Sequence, residues 1–370
     1  MYQVTNYING KECFESNESI SIINPSYGTN IGEVLYATKD TTNNAINAAA
    51  ETFITWSKTG LGYRAELILK LRQRIINKSK EIIDICVKEA GKTSPDAEAE
   101  LDRAIQALTH IAGVQHFYPS IMSPNVAGGI DIADVRYPIG VVVGCGPFNF
   151  PILIPILHAS MAIVTGNTFI AKPSEKVPSI SRLYADIFKE SGFPDGCYNV
   201  LNGGKDIVEQ LVCHEKVAGL AFIGSTPVAK SLKMLGVENN TKVQALGGGK
   251  NHMIVLPDAD LNMAADAAVS ASFGAAGQRC MAVSVVVAVG DIADELVDKI
   301  KERMPSLVMG KTDNPDTQLG PVISQENKDR IYSFINSAEP DGATLVVDGR
   351  PLSDKEEGSF VGATLIDHVR

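Results

Sequence analysis

Cys280 ends the run Phe273-Gly274-Ala275-Ala276-Gly277-Gln278-Arg279-Cys280, where small residues leave room for a bound molecule beside a thiol and the Arg279 charge favours the thiolate. At an ordinary thiol pKa of about 8.5 only a few per cent is ionised at pH 7, and a shift to about 7 ionises half. The other reading of a free cysteine is a small buried apolar side chain, and it is adopted for Cys13, Cys86, Cys197 and Cys213. Three further segments carry usable groups. In Gly144-Cys145-Gly146-Pro147-Phe148-Asn149-Phe150-Pro151 the glycines let backbone approach a ligand, and the Asn149 amide either donates to a developing oxyanion or caps the next helix. Lys172-Pro173-Ser174-Glu175 offers an ammonium and a carboxylate to ribose hydroxyls, or is a solvated loop. Phe222-Ile223-Gly224-Ser225 closes an apolar run and opens a helix whose amides can face a pyrophosphate. A strict G-x-G-x-x-G is absent, so no motif alone names a dinucleotide fold.

The elements that must position these segments follow from periodicity. Short apolar runs at Val141–Cys145, Thr168–Ala171, Tyr198–Leu201, Gly219–Ile223 and Lys242–Leu246 alternate with helical stretches near 151–164, 178–191, 205–213 and 226–235. That alternation predicts an α/β fold with a parallel sheet covered on both faces, which binds ligands at the carboxyl ends of its strands. Ahead of it, the first forty residues read as short strands, with Asn9-Gly10 as a hairpin turn, and residues 41–118 as helical. Three apolar stripes mark that region: Ile46, Ala49, Ala50 and Phe53; Leu67, Leu69, Leu71, Ile75 and Ile76; and Leu101, Ile105, Leu108 and Ala112. Ser94-Pro95 is the expected cap and first-turn proline of the third helix. After Leu246 come a Gly-Gly-Gly turn, a strand at Met253–Leu256, a small-residue helix from 260 to about 275, and then a strand 283–289, helices 291–303 and 324–338 and a strand 343–347.

The 370 residues carry 33 Lys plus Arg against 43 Asp plus Glu, a formal charge of −10, with 45% hydrophobic and 21% charged residues. Such a chain is neither disordered nor a disulfide-held miniature, and the acidic balance excludes a phosphate-binding basic surface, so no nucleic-acid partner is expected. The six cysteines form no C-x-x-C pair and no metal-ligand spacing, so no metal site is expected and a reduced, cytoplasmic protein fits. Nothing in the first fifteen residues reads as a signal core. Residues 139–171 lack Asp, Glu, Lys and Arg until Lys172, but Pro147, Pro151 and Pro155 break the stretch into a strand, a loop and a short helix rather than a membrane span.

In register and over almost the whole chain, P-F-N-F-P, K-P-S-E, F-I-G-S and G-Q-R-C resemble the aldehyde dehydrogenase superfamily. Tyr137-Pro138-Ile139-Gly140, Gly249-Lys250-Asn251-His252 with Pro257-Asp258-Ala259-Asp260, and the segment from Gly274 to Ala282 are similar to its coenzyme A-acylating methylmalonate-semialdehyde dehydrogenase branch. The resemblance implies a Rossmann-type NAD-binding domain over 1–246, with N-terminal helices and an oligomerisation hairpin near 119–137, and a second α/β catalytic domain over 247–370. It implies Cys280 as the nucleophile and Asn149, with the Cys280 amide, as oxyanion donors. Lys172 and Glu175 then grip the adenosine ribose and Ser225 the pyrophosphate, while Gly146, Phe148, Lys176 and Gly247 line the rest of the NAD path. A carboxylate at Glu175 repels a 2′-phosphate and so selects NAD over NADP. Arg279 and Arg103 hold the carboxylate of a small semialdehyde. Arg103 lies about 200° around its helix from Leu101, off the core stripe, and the alternative for it is an exposed pairing with Glu100.

Hydrolytic members of the superfamily carry a glutamate four residues before the lysine of the Gly-Gly-Lys turn, as base for the deacylating water. Here that position is Leu246, which activates no water, so the resemblance implies a thioester that waits for coenzyme A as co-substrate. The product is then propionyl- or acetyl-coenzyme A, after loss of the substrate carboxylate, in a role fitting valine catabolism. A hydrolytic enzyme of the same fold, or an NAD-binding fragment without catalysis, are the alternatives. Ala229 stands where relatives often have Gly, and Phe360-Val361-Gly362-Ala363 has Ala where Pro is usual. The sequence ends at Arg370, before the family's Glu-x-Phe-Gly-Pro segment and the strand that joins subunits in the homo-oligomeric full-length relatives. The expectation is therefore a catalytic domain incomplete at its C-terminus.

Overall fold

The computed structural model describes residues 1–117, 119–354 and 356–369; Tyr118, which closes the expected helical region, Lys355 and Arg370 lie outside the described residues. The chain opens with β1 (Tyr2–Val4), β2 (Asn6–Ile8), β3 (Lys11–Cys13), β4 (Ser19–Asn24) and β5 (Thr29–Leu35). Asn9 and Gly10 both take positive φ, 48° and 77°, the paired left-handed turn that Asn-Gly favours between β2 and β3. Next come α1 (Lys39–Trp56), α2 (Leu61–Asn77), α3 (Ser79–Ala90), α4 (Ser94–Ala112) and α5 (Val114–Phe117). The sequence reading had no separate α3, because α2 and α3 are joined at Lys78 without a glycine or proline to mark the break. It also put Leu69 on the α2 stripe. Leu69 is exposed, and Ile68 is the buried neighbour that keeps the helical period with Leu71 and Ile75. The cap of α4 is Thr93 rather than Ser94: its hydroxyl accepts from the Asp96 amide, and Pro95 sits in the first turn.

The hairpin expected near 119–137 is β6 (Ile121–Ala127) with β7 (Ile130–Asp134), every residue of it exposed. It leads into β8 (Val141–Cys145), α6 (Leu153–Val164), β9 (Thr168–Lys172), α7 (Ser179–Glu190), β10 (Tyr198–Val200), α8 (Lys205–Cys213), β11 (Val217–Ile223), α9 (Thr226–Glu238) and β12 (Lys242–Leu246). The five strands lie parallel in the order β12-β11-β8-β9-β10, and the β2–β3 hairpin extends the sheet antiparallel beyond β10. One core, built from α2, α3, α4, α6 and α7, covers one face; a second, from α1, α8 and α9, covers the other. Burial on both faces explains the unbroken apolar β8 and β11, while the edge strand β12 alternates and exposes Lys242 and Gln244. The expected parallel sheet is present, and the uncharged stretch from 139 is β8, a loop and the twelve-residue α6, not a span. Among the described residues no helix is long and apolar enough to cross a membrane.

Beyond Leu246, β13 (Asn251–Val255), α10 (Leu261–Phe273), β14 (Val283–Ala288), α11 (Ala293–Arg303), α12 (Gln325–Ala338), β15 (Thr344–Val347), α13 (Arg350–Ser353) and β16 (Leu365–Asp367) form a second α/β unit. β13 and β14 pair in parallel, and α10 and α11 pack on them around Ala265, Ala268, Leu296 and Ile300. The β4–β5 turn also touches this unit: Ser359 N donates to Pro25 O at 2.9 Å and Ser26 Oγ lies 3.0 Å from Thr312 Oγ1.

Candidate active site

Because β8, β9, β11 and β12 run parallel in register, Cys145 pairs with both Lys172 and Phe222, and Ile223 pairs with Leu246. Gly146, the Lys172 to Lys176 loop, Ser225 and Gly247 therefore all follow strand ends at one edge of the sheet, and the strand order reverses between β8 and β11. That edge is where open α/β sheets bind nucleotides. Gly146 N donates to Lys172 O at 3.1 Å. Lys172 is buried, and its ammonium is 3.7 Å from the half-buried Glu175 carboxylate; the Lys176 amide donates to Ser174 Oγ at 3.3 Å. Phe148 rests on the core beneath the loop.

Ser225 is the extended cap residue of α9, yet its hydroxyl makes no capping bond, and residues 225–228 are exposed. The Gly247-Gly248-Gly249 turn lies across this helix start. Gly248 N donates to Thr226 Oγ1 at 3.1 Å, and a Cβ on Gly247 falls 2.7 Å from that oxygen. An open helix start with a spare hydroxyl, a turn that only glycine can make at that distance, and a Lys–Glu pair at the rim fit the NAD that the resemblance implies.

The Cys280 loop is built under strain. Ala275, Ala276 and Gly277 take φ of 51°, 53° and 71° in succession, a left-handed run that costs an alanine about 1–2 kcal/mol per residue. Gln278 anchors it: its side-chain oxygen accepts from Ile323 N at 3.0 Å and its amide nitrogen donates to Pro321 O at 3.4 Å. The Asn149 amide donates to Gln278 O at 2.9 Å, and the Asn251 amide donates to Cys280 O at 2.9 Å. Asn149 is thus brought beside the exposed Cys280 loop. It does not cap α6, whose first turn is satisfied otherwise: the buried Glu100 carboxylate accepts from Ile152 N and Leu153 N, both at 2.8 Å. At the far end of α6, Arg64 donates to Val164 O at 2.8 Å, so opposite charges meet opposite ends of the helix dipole. Burial holds the thiols of Cys86 and Cys197 well above the usual range and pushes Cys145 up to about 11, as inert core residues. Cys213 departs from the buried reading and is exposed at the end of α8.

The two arginines differ. Arg279 is ion-paired to Asp96 on α4, in a slot that exists because residue 274 is glycine: a Cβ there falls 2.4 Å from the guanidinium. The pair walls a cavity of about 730 Å³ that Phe273, Arg303 and Thr317 also line and that does not include Cys280. Arg103 is exposed, donates to Gln106 Oε1 at 3.0 Å, and lies two turns along α4 from Asp96. Its alternative pairing with Glu100 does not occur, because Glu100 is turned inward to Lys92 at 2.6 Å. The sequence reading gave no role to Lys92 and Asp96, quoted Gln278 and Asn251 only within motifs, and took Glu100 only as a partner for Arg103. Two signals for the acids were present, a Thr93-x-x-Asp96 capping box and the four-residue spacing of Asp96 and Glu100.

The aldehyde dehydrogenase family model matches residues 14–370. A malonate-semialdehyde dehydrogenase of Bacillus pumilus (strain SAFR-032) is 40% identical over 366 residues, 98% of this chain and 75% of that protein. The crystal structure of a methylmalonate-semialdehyde dehydrogenase from Oceanimonas doudoroffii superposes with a TM-score of 0.97 at 40% identity, over 100% of this chain and 76% of that one. A candidate methylmalonate-semialdehyde dehydrogenase from Sinorhizobium meliloti 1021, solved in complex with NAD, also gives 0.97, at 37% identity and the same coverage. The fold, the strand-end edge and these matches agree: the chain belongs to the aldehyde dehydrogenase family.

Proposed function

We propose that the protein oxidises a small semialdehyde carrying a carboxylate, methylmalonate or malonate semialdehyde, with NAD, and passes the acyl group to coenzyme A. The observation that carries the reading is the Asn149 amide seated on the Cys280 loop, at a sheet edge where position 246 offers a half-exposed leucine instead of a carboxylate. The Cys280 thiolate adds to the aldehyde carbon, and Asn149 with the Cys280 amide takes the charge that forms on oxygen. NAD, when bound, would supply the hydride acceptor for that carbon. Ser225 and the α9 start would hold its pyrophosphate, and Lys172 and Glu175 its ribose. Cys280 is left as a thioester. With Leu246 unable to activate water, the thiol of coenzyme A displaces Cys280 and regenerates it. Arg279 and Arg103 hold the substrate carboxylate. After acylation it leaves as carbon dioxide, hydrated by water to bicarbonate; the electron pair of the broken C–C bond stays on the α-carbon as a thioester enolate, and that carbon takes a proton from solvent.

Stopped-flow NADH formation with malonate semialdehyde tests this. The expected result is a Cys280-dependent burst followed by a steady state that rises with coenzyme A. A burst whose steady state ignores coenzyme A is the hydrolytic outcome, and no burst at all leaves only nucleotide binding; either overturns the proposal.

A further inference from the structure

Helix α4 carries two acids one turn apart on the same face, and each reaches a different half of the catalytic pair. Asp96 holds Arg279, the residue beside Cys280. Glu100 holds the amides of Ile152 and Leu153, three and four residues after Asn149. Residues four apart stand about 6 Å along a helix on one side.

Both acids are fixed from behind. The second Asp96 oxygen accepts from the Thr93 hydroxyl at 3.1 Å within the helix cap. The second Glu100 oxygen takes the Lys92 ammonium at 2.6 Å, and that ammonium lies 4.4 Å above the ring of Phe150, the neighbour of Asn149. The Lys92 and Glu100 side chains are 7% and 1% exposed, so neither has room to swing. The Asn149 to Gln278 bond then closes the circuit between the two loops.

We propose that α4 is the spacer that sets the separation of Cys280 from Asn149, with Asp96 and Glu100 as positioning residues and Arg279 serving as a tie as well as a substrate ligand. This rests on the reading of Cys280 as nucleophile and Asn149 as oxyanion donor. No proton or charge passes through the acids. They act because a misplacement of about 1 Å at a reacting centre costs on the order of 100-fold in rate.

The test uses the full chain and compares Asp96→Ala, Asp96→Asn and Glu100→Gln in single-turnover NADH formation at saturating NAD and aldehyde, with NAD affinity and thermal midpoint measured alongside. Asp96→Ala removes the Arg279 tie, and Glu100→Gln sets an NH2 against the buried Lys92 ammonium and so shifts the side chain that holds the 152 and 153 amides. Both are expected to slow the burst by about 10- to 100-fold with NAD affinity within about two-fold, because transition-state geometry is lost. Asp96→Asn keeps an amide oxygen to accept from Arg279 and turns its NH2 to the Thr93 hydroxyl, which can accept, and is expected to recover most of the rate. The double variant Asp96→Ala with Glu100→Gln is expected to be little slower than the worse single, since both spoil one distance. Glu100→Gln strands a buried ammonium; should it fail to fold, the less buried Asp96 pair of variants decides alone. Folded variants with an unchanged burst overturn the proposal while leaving Cys280 chemistry intact. A Cys280→Ala chain that retains the burst, or an unaltered chain without one, removes the reading beneath it.

Discussion

A thiol attacks a carbonyl usefully only where the oxygen of that carbonyl is held, and in the proposed reaction the holding falls to Asn149. Its identity as a candidate was legible because P-F-N-F-P stands at a strand end, but its partner was not: the bond to Gln278 O joins residues 129 positions apart. Arg279 was legible as a cation beside Cys280, whereas its commitment to Asp96 depends on a glycine at 274 and on α4 arriving from elsewhere. Arg103 gives the sharper residue-level prediction because it is exposed and donates to the neutral Gln106 Oε1 rather than to an acid. Arg103→Ala is expected to lower kcat/KM for a carboxylated aldehyde by about 10- to 100-fold, the worth of one charge-assisted bond, and to spare a neutral aldehyde. Equal losses for both aldehydes remove Arg103 from the carboxylate site.

At the scale of elements, the strands and helices from 141 to 246 match their sequence reading closely because burial on both faces makes the inner strands β8 and β11 apolar and short turns separate the elements. The N-terminal helices were harder, since α3 follows α2 with only Lys78 between them. The helix packing there also buries Glu89, which accepts from the Tyr2 hydroxyl and, at 3.3 Å, from Ser179 N, tying β1 to the start of α7. Burial pushes its carboxyl up to about 7. Between its ordinary 4.5 and 7 the folded chain therefore binds more protons than the unfolded one, so stability falls as pH rises through that window, by on the order of 3 kcal/mol at most. Glu89→Gln keeps an acceptor and cannot ionise; thermal melts are expected to show its advantage over the native chain growing from pH 5 to pH 8. Parallel melting curves across that range contradict the assignment. The turn across α9 yields a second element-level expectation. Gly247→Ala drives a methyl against Thr226 and is expected to weaken NAD binding about ten-fold, measured by titration calorimetry, with the thermal midpoint little changed.

At the scale of the whole molecule, the chain spans about three quarters of the length of the relatives it matches, at 76% of the Oceanimonas structure. The β6–β7 hairpin leaves the body with Ile121, Met122, Ile130 and Ile132 between 55% and 63% exposed, and a lone two-stranded hairpin is marginal in water. The expected role is self-association: light scattering should show a lower mass for Ile130→Lys with Ile132→Lys than for the native chain, and equal masses dismiss the hairpin as an interface. The hairpin and the division of the chain after residue 246 were both expectations of the resemblance rather than of the local sequence pattern. The contact of the β4–β5 turn with residues 312 and 359 was not among them, because nothing local encodes a neighbour 286 positions away. The proposed chemistry meets its most direct test in the intact mass of the protein quenched after one turnover with NAD and semialdehyde but no coenzyme A. The expected result is one acyl group on the Cys280 peptide that disappears when coenzyme A is added; free carboxylate product with an unmodified Cys280 contradicts it.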